Sequence, residues 1–398
     1  MMRIMKLSNG MTIAFERRKT ASVAVGIHVK VGSVNEGKNQ AGITHLLEHM
    51  LFEGTTTRAA HDISNAIESV GGEFNAATSH ERTFYYIHIP REYFSRALDI
   101  LADIIKHPLF DEKTLKKEKK VVLNEMKVTN DDPKSYLWIL FLKTLFKKHK
   151  AKNPIYGNPA AIQRMTQSQL MDYYTTHYIP KNTIISIVGN VNNPLPLIKK
   201  KFGSLTPASG KEGNTPAEPP PSSPRLKKVK RDVEHSYIAV GYQAPPRSQR
   251  DSYALDVIRS ILGRGQSSRL FEEIRIKRGI AYMVGAVYES SLTFSAFAVY
   301  LSTTKKNVPE ARKVLHDAFK LRNLTRREVE DAKNYLVGNF ILENENNKEC
   351  AEQNAFWLLL RKKPQEYVKN IREVTLEDVR SAAKKYFHKN YTEVIIQK

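Results

Sequence analysis

The chain reads as an α+β protein built from two similarly folded domains, and three observations predict this. Its 398 residues exceed what one compact core accommodates, and short strand-like runs alternate with helical stretches along the whole length. A helix-then-strand unit at 165–178 and 184–187 recurs at 374–387 and 394–396, an offset of 209 residues, about half the chain. Between the copies lies 207–224, Pro-Ala-Ser-Gly-Lys-Glu-Gly-Asn-Thr-Pro-Ala-Glu-Pro-Pro-Pro-Ser-Ser-Pro, with the composition of an exposed linker stiffened by proline runs. The expected domains are therefore 1–206 and 225–398.

In chain order, residues 1–20 contain no apolar run of signal-peptide length and read as two short strands about an Asn9-Gly10 turn. A strand follows at 23–29, and Gly32 and Gly37 punctuate a loop before a strongly periodic helix from 43 onward. Next come a helix over 61–70 that stops at Gly71-Gly72, an extended stretch over 73–79, a strand over 83–89 ended by Pro90, and a helix over 93–105. A helix spans 111–129, Pro133 breaks the pattern, and further helices are expected at 138–146 and 166–177, with a loop at 153–159 and a strand at 183–188. In the second half the strand 236–242 takes the role of 23–29, and the helix 252–262 follows it.

Hydrophobic content of 41% and charged content of 26% are those of a soluble globular protein. The single Cys350 excludes an intrachain disulfide and fits a reducing compartment. No segment is long enough to span a membrane, so a cytoplasmic protein is expected. A net charge of +22 and a pI near 9.7 would suggest nucleic acid, but the basic clusters are dispersed: 147–150, 199–201, 227–231 and 361–363. None is interleaved with aromatic residues as a single-strand platform would be, which leaves a solvated basic surface.

The chemistry is concentrated in 43–54. On a helix, Ile43, Leu46, Leu47, Met50 and Leu51 form one apolar stripe, and His45, Glu48, His49 and Phe52 fall on the other side. Two imidazoles one turn apart reach a common point from one rigid backbone, a donor set suited to Zn²⁺, and Glu48 between them is placed as a base for a metal-activated water. Such a motif arises by chance in roughly one sequence in fifty of this length and composition, so a third ligand is required. The helix 111–129 offers one. Its inward face by spacing is Leu115, Glu118, Val122, Glu125, Met126 and Thr129, and carboxylates on an apolar stripe are costly unless paired or bound to metal.

His45-x-x-Glu48-His49 with Glu125 76 positions after His49 resembles the inverted zinc motif of the pitrilysin (M16) metallopeptidases. The length resembles the half-size chains of that family, those similar to the mitochondrial processing peptidase. The resemblance implies a fold of two domains of the kind shared by LuxS and that peptidase, each a mostly antiparallel sheet with helices packed on it. It implies one zinc per chain on His45, His49 and Glu125, with Glu48 activating water and Glu118 orienting a ligand. It implies peptide substrates that add as a strand to the segment Asn75, Ala76, Ala77 and Thr78, with Asn75 bonding a substrate carbonyl. The run from Gly265 to Tyr282 resembles the family's second-domain signature, in which Arg275 and Tyr282 would contact substrate and steady the oxyanion. The partner would be a second chain, identical or paralogous, and together the two would enclose a chamber.

Two other functions remain compatible with these residues. One is a non-catalytic structural homologue like the core proteins of respiratory complexes, which would hold no zinc. The other is a basic nucleic-acid-binding protein, whose affinity would fall steeply with salt.

Overall fold

The structure is a computed structural model and describes residues 2–207 and 215–398. The chain divides into two compact units, each assembled from three segments. The first comprises Met1–Met126, Pro154–Thr215 and Glu343–Lys363, and the second Lys127–Asn153, Pro216–Leu342 and Pro364–Lys398. The units thus interleave along the chain, where the sequence reading expected contiguous halves at 1–206 and 225–398.

The first unit holds strands β1 (Arg3–Lys6), β2 (Thr12–Arg17), β3 (Ser22–Val29), β4 (Glu73–Thr78), β5 (Thr83–Pro90) and β6 (Thr183–Gly189). They form one sheet in the order β1-β2-β6-β3-β5-β4. Only β2 and β6 run parallel; the other pairs are antiparallel. β3 is apolar at nearly every position because both faces of the sheet are covered there. Val23, Val25, Ile27 and Val29 face the core beneath the helix Ile43–Phe52, while Ala24 packs with Val188, Cys350 and Ala351 on the other face. That second cover is the helix Asn347–Leu359. It is fastened by polar contacts: Asn347 Nδ2 donates to Thr20 Oγ1 at 2.9 Å, and Arg82 pairs with Glu352 at 2.8 Å.

The second unit holds β7 (Arg225–Lys230), β8 (Ser236–Gln243), β9 (Ala281–Ser290), β10 (Ser295–Thr303) and β11 (Thr392–Gln397), in the order β7-β11-β8-β10-β9. β7 and β11 are parallel and the rest antiparallel. This is the order of the first sheet without β1: β11 lies between a parallel and an antiparallel neighbour as β6 does, and β8 takes the place of β3. The repeat seen in the sequence is real at both ends. Gln167–His177 precedes β6 and Leu376–Tyr386 precedes β11, and each helix starts at a threonine cap, Thr166 or Thr375, with a reciprocal bond from the third helical residue.

One expectation about this unit needs correction. Pro133 does not only end a pattern; it opens the helix Pro133–Leu145 at its first position, where a missing N–H costs nothing, and the Asp132 carboxylate accepts from Ser135 N–H as cap. The helix therefore starts five residues before the expected 138. The stretch 207–224 was expected to be an exposed linker. Residues 208–214 lie outside the described residues; most of 215–224 is exposed, and it is fastened where the Glu218 carboxylate accepts from the N–H groups of Lys147, Lys148 and His149 at 2.6–2.9 Å and Pro221 O accepts from Asn390. Among the described residues no helix is long and apolar enough to cross a membrane.

Candidate metal centre

The helix Ile43–Phe52 buries Ile43, Leu46, Leu47, Met50 and Leu51, as its spacing dictates, and leaves His45, Glu48 and His49 half-buried on the opposite side. Its start is set by backbone geometry that only glycine tolerates. Gly42, the residue before the first turn, has φ +92°, and a Cβ there would run into the Tyr156 carbonyl. Gly157, at φ +77°, likewise leaves no room for a Cβ against Ala41. Gly42 has no side chain to cap the helix, and buried Glu36 does so from the preceding loop. Its carboxylate accepts from Gly42 N–H at 2.9 Å and Thr44 N–H at 3.1 Å, a negative charge at a helix N-terminus.

The second helix, Glu112–Asp131, buries Leu115, Glu118, Val122 and Met126 and carries Glu125 half-exposed beside them. Glu118 is only 4% exposed, and its Oε2 lies 3.2 Å from His49 Nδ1. His49 is therefore held through Nδ1 and presents Nε2. The Nε2 atoms of His49 and His45 lie 3.4 and 3.8 Å from Glu125 Oε2, and one ligand atom from each of the three residues falls within 4.8 Å of the others. Those separations are long for N–H···O hydrogen bonds, whose mode is about 2.9–3.0 Å. They suit a shared ion: ligands about 2.0–2.1 Å from a tetrahedral zinc stand about 3.3 Å apart. The residues present thus fit a zinc ion, and Lys117, 3.4 Å from Glu118 Oε1 and 3.0 Å from Glu53, braces the outer side. Burial, with the neighbouring His49, holds the His45 imidazole down to about 4, so it is a neutral donor at physiological pH.

Glu48 points from the same helix toward β4. Burial raises its carboxyl above the ordinary range, opposed by a hydrogen bond from the Thr78 hydroxyl to Oε2 and by His49. β4 is an edge strand that pairs only with β5 among the described residues. Phe74, Ala76 and Thr78 alternate toward the helix, while Asn75 and Ala77 are exposed, and Asn75 Oδ1 accepts from Ala76 N–H at 2.8 Å. Arg275 and Tyr282 form a pair of their own in the second unit. Tyr282 is 82% exposed on β9, and the Arg275 guanidinium stands 4.9 Å from its ring centroid. One contributor escaped the sequence reading: Glu36 caps across a loop with no local signature. Thr78, expected to touch substrate, is hydrogen-bonded to Glu48.

The description "Insulinase (Peptidase family M16)" matches residues 12–159, and "Peptidase M16 inactive domain" matches 164–336. The chain is 31% identical to an uncharacterized zinc protease, YmxG, of Bacillus subtilis, over 98% of this chain and 96% of the relative. It is 31% identical to an uncharacterized zinc protease of Mycobacterium tuberculosis, over 94% of this chain and 88% of the relative. A protease from Helicobacter pylori, solved as a crystal structure, superposes with a TM-score of 0.94 at 26% identity, covering 100% of this chain and 99% of that one. The fold, the histidine–glutamate cluster and these relatives agree: the chain belongs to the M16 peptidase family.

Proposed function

We propose that this protein is a zinc-dependent endopeptidase that hydrolyses unfolded peptides, with His45, His49 and Glu125 holding the ion and Glu48 as general base. The observation that carries this reading is the convergence of those three ligand atoms within 4.8 Å, with Glu48 on the helix of His45 and His49. A zinc ion there would act as a Lewis acid toward the scissile carbonyl and acidify water.

The chain's own residues supply the rest. Glu48 takes a proton from the attacking water and delivers it to the leaving amine, and burial raises its carboxyl toward the range useful for such transfer. Glu118 fixes the ring of His49 through Nδ1. The edge strand β4, paired only with β5 among the described residues, can take an extended chain as a further strand, a recognition mode that demands backbone and therefore unfolded substrate. Arg275 and Tyr282, supplied by a second chain, support the developing oxyanion. A non-catalytic scaffold has no need of three ligands, an ordered outer carboxylate and a base in one place.

The test is Glu48→Gln. It should retain one zinc per chain by metal analysis and lose about 100 to 10,000 fold of peptide hydrolysis, because it removes the base and spares every ligand. Wild-type protein that holds no zinc, or a zinc-loaded variant that cleaves at the wild-type rate, overturns the proposal.

A further inference from the structure

We infer that Thr78 is the positioning residue for Glu48, so that the edge strand reading substrate backbone also aligns the base. The inference rests on the peptidase reading above. It differs from a substrate-contact role for Thr78, which would act on binding rather than on proton transfer.

A glutamate on a helix keeps freedom about its last torsions, and a base that must meet a proton at hydrogen-bond distance needs that freedom removed. Thr78 does this from outside the helix. Its hydroxyl donates to Glu48 Oε2, and its main-chain N–H faces the same carboxylate. The anchor is itself fixed. Thr78 pairs with Thr83 at the last register of β4 and β5, and the next residue, Ser79, donates its N–H to Arg82 O at 2.8 Å and accepts from Ser33 N–H at 3.2 Å. Phe74, on the same inward face of β4, packs on Phe52 at 5.1 Å, one turn beyond Glu48, which braces strand against helix.

With Oε2 committed to Thr78, the proton in transit is carried by Oε1. As the water oxygen bonds the carbonyl carbon, its proton passes to Oε1; as the carbon–nitrogen bond breaks, that proton passes to the amine. Glu48 ends as it began, and the bond from Thr78 persists throughout. With the proton on Oε1, Oε2 is still an acceptor, so the Thr78 hydroxyl donates to it in both states.

The experiment compares Thr78→Val, which keeps shape and branching, with Thr78→Ser, which keeps the hydroxyl. Both are assayed on an unstructured fluorogenic peptide, with zinc per chain measured on each. We expect Val to lower kcat about 10 to 100 fold with KM within about twofold and zinc retained, and Ser to restore kcat to within about threefold. A merely structural role would not be rescued by the hydroxyl alone. A Val variant with wild-type kcat, one whose change lies in KM, one that loses zinc, or a Ser variant as slow as Val each overturns the inference while a zinc-dependent wild type upholds the peptidase reading. Wild-type protein without chelator-sensitive hydrolysis overturns both.

Discussion

Replacing Glu118 by glutamine separates what this carboxylate does for the metal from what it does for the fold. Glu118 is 4% exposed, with His49 Nδ1 at 3.2 Å and Lys117 Nζ at 3.4 Å. Glutamine keeps the shape and one carbonyl acceptor for the imidazole N–H but removes the charge. Charge-assisted bonds are roughly twice as strong as neutral ones, and partners behind a ligand typically contribute 10 to 100 fold to metal affinity, about 1.4–2.7 kcal/mol. Zinc Kd should rise by that factor. In metal-free protein the sign differs, because a buried carboxylate is costly to desolvate and its lysine partner is mostly exposed, so apo stability should stay level or rise. The assay is competition for zinc against a chromogenic chelator, paired with thermal unfolding of the apo forms. Zinc affinity within about twofold of wild type would refute the reasoning, as would an apo form that unfolds much earlier, which would make Glu118 a fold residue.

Two further outcomes are expected. His28 is fully buried on β3, stacked on Phe84 at 3.9 Å, and neither ring nitrogen has a hydrogen-bond partner among the described residues; burial, with the nearby Arg82, pushes its pKa well below the ordinary 6.5. The unfolded chain therefore takes up this proton first as pH falls below about 6.5, so stability present above that pH is lost on acidification. His28→Phe should remove that loss, and between pH 7.5 and 5.5 wild type should lose about 1.3 kcal/mol more than the variant in urea unfolding; equal losses would show that His28 titrates normally. Mixing Glu48→Gln with the double variant Arg275→Ala, Tyr282→Phe under subunit exchange should restore up to about a quarter of wild-type activity, if each site takes its arginine and tyrosine from a second chain. Heterodimers without activity would rule that arrangement out.

What was legible in the sequence is what short-range periodicity encodes. The apolar stripe of 43–52 and the two inward acids of the helix 111–129 were enough to single out His45, His49, Glu118 and Glu125, because helix geometry fixes each face, while joining the two helices at one centre rested on the resemblance to the M16 motif. The Asn9-Gly10 turn was equally local, with Gly10 at φ +94°. Long-range capping was not legible. Glu36 sits in a loop with no pattern, and its role depends on Gly42 lacking a side chain and on the fold bringing a carboxylate to that helix end. Thr78 was legible as part of an extended stretch, but nothing in its neighbours says that its hydroxyl meets Glu48. Pro133 misled for a definable reason: the same residue that cannot continue one helix is favoured as the first residue of the next.

The least legible feature is which sheet each helix covers. Pro133–Leu145 lies early in the chain, yet it packs Leu137, Phe141 and Leu145 over Ala239, Ala298 and Val394 in the second unit. Asn347–Leu359 lies late and covers Ala24 and Val188 in the first. The two helices sit on corresponding strands, β8 and β11 in one sheet and β3 and β6 in the other, so each sheet receives the same cover from the opposite half of the chain. The apolar side chains that Pro133–Leu145 buries are worth about 1.5–3 kcal/mol each, which sums to the order of a whole domain's net stability of about 5–15 kcal/mol. Neither contiguous half therefore carries a complete unit. The first-unit sheet that supports the candidate metal centre on one face depends, on the other, on small residues more than 150 positions away in sequence, as Cys350 is from Val188. The small size of Cys350 and Ala351 is what lets that helix lie against Ala24 and Val188, and a larger side chain at either position would press on β3, whose opposite face packs into the core that the helix of His45 and His49 shares.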